Sequence, residues 1–256
     1  MRRRLNARLE RRIGMTRELE PWAISLIVLI VWMIIILGGV ILQAGRTSLQ
    51  DLVSKHIVYS FVAAPIFLLA VVAYTEWWRQ VGLQPDGSIN NLKVLAMPAL
   101  ALVVIWAVAF SRGLPGGTTL TLIGANTLLV GFSEELMFRG ILFYGSKMSF
   151  GFMGAVVVTS VLFGLMHDMN SLITGNKKQA IFQAFFTTVF GFWIVALRAY
   201  LNTIIPLVVI HWLWDFGLFA AAPVKAASVD AAPTRSMLLL AVEIALFGYG
   251  FWLLLT

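Results

Sequence analysis

The chain has 256 residues, of which 60% are hydrophobic and only 12% charged, with 21 glycines and no cysteine. Its mean hydropathy is +0.89. These values exclude a disordered tail, a disulfide scaffold and a cysteine-based zinc site, and they describe a polytopic membrane protein.

The net charge of +7 comes from 19 basic and 12 acidic residues, and it is uneven along the chain. Arg2, Arg3, Arg4, Arg8, Arg11, Arg12 and Arg17 all precede the first apolar run. A basic stretch flush against a span acts as an orientation signal and a contact for anionic lipid, so no nucleic-acid partner is expected. Residues 1–20 are expected to form a cytoplasmic Arg-rich segment, and 21–256 a single transmembrane bundle.

Apolar runs of about 20 residues can each cross a hydrocarbon core as a helix. In chain order they predict spans at 22–44, 57–75, 94–111, 119–143, 151–168, 180–197, 203–222 and 236–255. The first run is too long for a cleaved signal and is read as a retained span. The connections Gln84-Pro85-Asp86-Gly87-Ser88 and Gly113-Leu114-Pro115-Gly116-Gly117 carry turn chemistry. The expected fold class is therefore all-α, a polytopic bundle of about eight transmembrane helices, with no internal repeat evident. Twelve basic residues then fall on inner segments and seven on outer ones. Setting Arg139 aside as intramembrane leaves eleven, and the bias still puts both termini in the cytoplasm.

Ionisable side chains inside spans are expensive unless paired or functional, and here they gather in three places. The fourth span holds Ser133-Glu134-Glu135-Leu136-Met137-Phe138-Arg139, the fifth ends in Phe163-Gly164-Leu165-Met166-His167-Asp168, and the seventh holds His211-Trp212-Leu213-Trp214-Asp215. Positions four apart share a helix face, so Glu135 and Arg139 should pair. Glu134 is then left to point elsewhere. His211 and Asp215 stack on one face, where the carboxylate can orient the imidazole or act as a second ligand. His167 comes from a third helix.

If the three helices converge, the residues form a water-activating site. His167, His211 and Asp215 suit zinc or a similar divalent ion, with Glu134 as general base. Without metal, Glu134 and His167 could activate water while His211 and Asp215 stabilise the oxyanion. The residues are compatible with both routes. Phe163, Trp212 and Trp214 are read as packing, His56 as interfacial, and Glu243 as an isolated carboxylate whose only evident use is a hydrogen bond into the bundle.

Glu-Glu-x-x-x-Arg at Glu134, Glu135 and Arg139, Phe-x-x-x-His at Phe163 and His167, and His-x-x-x-Asp at His211 and Asp215 resemble the CPBP family of intramembrane proteases. That family includes type II CAAX prenyl endopeptidases and bacterial proteins linked to bacteriocin processing or self-immunity. The motifs lie within 119–220. The resemblance implies that Glu134 activates water, that His167 assists, and that His211 with Asp215 completes the site or the oxyanion hole. Glu135 and Arg139 would be supporting residues. Many CAAX endopeptidases carry asparagine at the position of Asp215, a departure that favours metal ligation or histidine orientation there.

No His-Glu-x-x-His, Gly-x-Ser-x-Gly, Gly-x-Ser-Gly or Gly-x-Gly-Asp motif is present, so the attacking group would be water. The expected activity is that of an intramembrane metalloprotease-like endopeptidase, acting on a membrane-associated protein or peptide, CAAX-like or other. The expected location is the bacterial inner membrane, in contact with its lipids. Two rival readings use the same polar cluster: a non-catalytic membrane scaffold or immunity protein, and an ion or proton transporter.

Overall fold

The computed structural model describes residues 20–84, 92–221 and 233–256. The Arg-rich segment, the turn residues Pro85 to Ser88 and the basic residue Lys225 lie outside the described residues.

Among the described residues every regular element is helical. Helix α1 spans Pro21–Ala44, with a π-helical turn over Ile34–Gly38. Then follow α2 (Leu49–Lys55), α3 (Tyr59–Thr75) and α4 (Ala96–Arg112). Next come α5 (Gly117–Glu135), a second π segment (Leu136–Leu142) and α6 (Phe143–Asp168). The chain closes with α7 (Asn170–Thr174), α8 (Lys177–Leu201), α9 (Ile205–Ala220) and α10 (Pro233–Leu255).

Among the described residues, four helices are long and apolar enough to cross a membrane, or five if the bent pair α2 and α3 counts as one span. Helices α9 and 240–255 are apolar but shorter. One helical run, Gly117–Thr174, holds 58 residues, and at about 1.5 Å per residue it far exceeds a hydrocarbon core of about 30 Å. Gly151 breaks it: at φ 71° it adopts a conformation open to glycine and costly for other residues. The run thus carries both the fourth and fifth expected spans. The fourth is longer than its apolar core, continuing as helix past residue 143. The fifth continues past His167 through Asp168 into α7.

The surface is inverted relative to a soluble protein, as lipid demands. Tyr74 is 91% and Leu42 89% exposed, whereas Arg139 is 1% and Glu135 0% exposed. Because lipid is as apolar as leucine, helices associate through close backbone approach and interhelical hydrogen bonds. Two antiparallel pairs show this. On α6 and α8, Gly164 lies against Thr188 and Ala184, and Gly191 against Ser160. On α5 and α9, Gly131 abuts the backbone of Trp212, whose Nε1 donates to Gly124 O at 2.9 Å.

The bend of 85° between α2 and α3 frees backbone groups that lipid cannot satisfy. Asn126, buried on α5, takes them up. Its Nδ2 donates to Val53 O and His56 O, each at 2.9 Å, and its Oδ1 accepts from Val58 N at 3.1 Å. His56 therefore sits at this bend, half-buried.

Candidate functional site

The α5–α9 crossing and the α6–α8 pair bring the three sequence motifs to one place. Glu134 and Glu135 end α5 just before the π segment, whose wider turn re-aims successive side chains and recurs at functional sites. Trp32 of α1 fixes the approach, its Nε1 donating to Ser133 Oγ at 2.6 Å.

Glu135 is fully buried and is shared. Its Oε1 lies 3.2 Å from Arg139 Nη1, as the i,i+4 spacing predicts, and also accepts from His211 Nδ1 at 2.7 Å. The second contact was not evident in the spacing. It shows that the short bond to His211 comes from Glu135 rather than from Asp215. Asp215 Oδ2 stands 3.6 Å from His211 Nε2, and Glu134 Oε2 is equally 3.6 Å from the same nitrogen. Such separations are ion-pair contacts, too long for hydrogen bonds.

His167 Nδ1 faces Phe163 O of its own helix at 2.8 Å. With Nδ1 as the donor, Nε2 carries the free lone pair. Phe163 is the packing hub of the site: its ring centroid is 4.7 Å from that of His167 and 6.0 Å from that of His211. The Arg139 guanidinium lies 4.1 Å from the same ring. This is the packing role expected of Phe163, and Trp214 plays a similar part against Phe190 and Trp193.

Glu134 is buried at 8% exposure, and its Oε2 has no hydrogen-bond partner. It lines a cavity of about 110 Å³ together with Ser133, His167 and Asp215. The rest of the lining is largely apolar, with side chains such as Met33, Ile36 and Val40 of α1, Leu52 of α2 and Phe61 of α3. His211 stands behind this surface, at 3% exposure. Among the described residues no three His, Asp or Glu side chains stand at metal-ligand spacing. A divalent ion held by His167, His211 and Asp215 would need those side chains to draw together first.

Four uncharged polar cavity residues carry no predicted role: Thr127, Ser133 with its tryptophan partner, and Asn170 and Gln183, whose side chains bond to each other at 3.0 Å. Their one signal in the sequence is polarity inside or beside an apolar run. Outside the cavity Glu243 has a partner after all, accepting from Trp193 Nε1 at 3.2 Å.

The family model described as Type II CAAX prenyl endopeptidase Rce1-like matches residues 116–217, the stretch that carries every one of these motif residues. Over residues 116–217 the chain is similar to the Rce1-like family. The Rce1-like match agrees with the CPBP resemblance of the motifs, and the long apolar helices make the chain an integral membrane protein. Comparison with curated proteins and with solved structures gives no match in either case.

Proposed function

We infer that the protein is an intramembrane endopeptidase in which Glu134 activates water against a peptide bond of a membrane-associated substrate. The observation that carries this reading is the buried Glu134 Oε2 at the cavity wall, which makes no hydrogen bond. A buried carboxylate oxygen without a hydrogen bond is expensive, and it is retained where a ligand or a water completes it.

In this reading a water held by Glu134 gives up one proton to the carboxylate as its oxygen adds to the substrate carbonyl carbon. Glu134 then passes that proton to the departing amine nitrogen as the C–N bond breaks. His167, with its free Nε2, orients the water. His211 is held through Nδ1 by Glu135, and in the imidazolium form its other nitrogen, flanked by the carboxylates of Glu134 and Asp215, is the donor nearest the developing oxyanion. Asp215 keeps that imidazole facing the cavity. The apolar wall suits a lipid-linked or membrane-embedded peptide, and a prenylated CAAX sequence is the form of substrate that the matched family suggests.

The test is hydrolysis of a fluorescent farnesylated CAAX peptide by the purified protein in liposomes. Cleavage by the wild type and none by Glu134→Gln, with both folded, supports the reading. Equal cleavage by the two removes Glu134 from the chemistry. A cation flux that depends on Glu134, without any cleavage, would make the protein a transporter.

A further inference from the structure

An extended substrate segment in a membrane cavity brings main-chain N–H and C=O groups that neither lipid nor apolar side chains can satisfy. The cavity must supply partners for them. Four uncharged polar side chains line it: Thr127, Ser133, Asn170 and Gln183. Two are already engaged. Thr127 Oγ1 donates to Ile123 O of its own helix at 2.7 Å, and Ser133 Oγ accepts from Trp32 Nε1.

Asn170 and Gln183 differ. Asn170 begins α7, three residues after His167, and Gln183 faces it from the first half of α8. Their side chains make a single hydrogen bond, Asn170 Nδ2 to Gln183 Oε1 at 3.0 Å. Neither Asn170 Oδ1 nor Gln183 Nε2 has a partner among the described residues. Both side chains are half-buried at the cavity. A pair of carboxamides joined in this way leaves an acceptor on one and two N–H donors on the other, the complement of an extended peptide main chain.

We propose that Asn170 and Gln183 form the subsite that binds the substrate's main chain beside His167, Gln183 donating to a substrate carbonyl and Asn170 accepting from a substrate N–H. The pair sets where the chain lies relative to Glu134 without reading side-chain identity. The proposal rests on the peptidase reading above, and it is a binding role distinct from the chemistry.

The test is equilibrium binding to the full-length protein in the Glu134→Gln background, where no turnover occurs. The probes are a fluorescent farnesylated CAAX peptide and a set of analogues with one amide at a time replaced by an ester. An ester removes a main-chain N–H and weakens the carbonyl as an acceptor. With Gln183 and Asn170 present, at least one ester position is expected to weaken binding about five- to tenfold. Gln183→Glu keeps the acceptor for Asn170 Nδ2 but removes both donors. In that variant the ester that replaces the recognised carbonyl is expected to bind as the amide does. Asn170→Leu should remove the penalty at the position that supplies the N–H.

A penalty of equal size with and without these side chains, no penalty at any position, or no saturable binding would overturn the proposal. Cleavage by the protein with Glu134 intact is scored separately, so failure of the subsite and failure of the peptidase reading give different results. A merely structural role for the pair would lower the melting temperature in Gln183→Glu while leaving the ester penalty unchanged, and that too overturns it.

Discussion

Glu135 Oε1 lies 2.7 Å from His211 Nδ1 and 3.2 Å from Arg139 Nη1, so one buried oxygen holds the histidine of one motif and the arginine of another. Breaking such a buried pair leaves an uncompensated charge, at a cost of about 3–5 kcal/mol. Arg139→Met should therefore destabilise strongly while leaving the Glu135–His211 bond in place. Glu135→Gln removes the charged acceptor from both and should lower kcat more than Arg139→Met does, by about 10–100-fold. Thermal unfolding in detergent together with peptide-cleavage rates separates the two effects, and the reverse order of kcat losses would contradict the shared-oxygen account.

Glu134 behaves in the opposite way, because its Oε2 has no hydrogen bond to lose, only the 3.6 Å contact with His211 Nε2. Glu134→Gln is expected to reduce hydrolysis by about 10²–10⁴-fold, the range for loss of a general base. Its melting temperature should equal or exceed that of the wild type, since a neutral amide is cheaper to bury than a carboxylate. A large loss of stability would mean that Glu134 is structural.

The α6–α8 contact that positions His167 leaves no room at Gly164. A methyl added there would stand 2.6 Å from Ala184 O and collide with Thr188 Oγ1. Gly164→Ala should lower stability by about 1–3 kcal/mol. Thr188→Ala in the same chain should recover part of the loss, because the Thr188 clash is relieved while the Ala184 carbonyl stays. Full recovery, or no loss in the single variant, would show that the two helices pack elsewhere.

Metal removal is expected to leave activity within about twofold, because among the described residues no three carboxylates or histidines, His167, His211 and Asp215 included, stand at ligand spacing. Chelator treatment followed by elemental analysis and assay checks this. Activity that is lost with the metal and restored by zinc would show that His167, His211 and Asp215 draw together around it.

Glu243 gives a control outside the cavity. Glu243→Gln preserves an acceptor for Trp193 Nε1 and should be close to neutral, whereas Glu243→Leu orphans a buried N–H and should cost about 1–3 kcal/mol. The same comparison read by tryptophan fluorescence should move only in the leucine variant.

The helical class and the approximate span positions were legible because apolar run length is set by bilayer thickness, and the Glu135–Arg139 pair because helical spacing is local. What lay beyond the sequence depended on which faces meet. The Glu135–His211 bond joins residues 76 positions apart, and its choice over the nearer Asp215 is decided by how α9 crosses α5 at Gly131. The bend held by Asn126 and the break at Gly151 likewise have only weak local signals, a single polar residue in an apolar run and one glycine among many. Asn170 and Gln183 were invisible as a pair, since their meaning comes from a cavity wall that α1 and α3 help to enclose.

The most direct test of Glu134 as the water-activating base is mass-spectrometric profiling of peptide termini in membranes that carry either the wild type or Glu134→Gln at matched expression. New carboxyl termini present only with the wild type are the predicted result, and they would also reveal the substrate. Identical profiles, with a farnesylated CAAX peptide supplied and both proteins folded, would contradict the account.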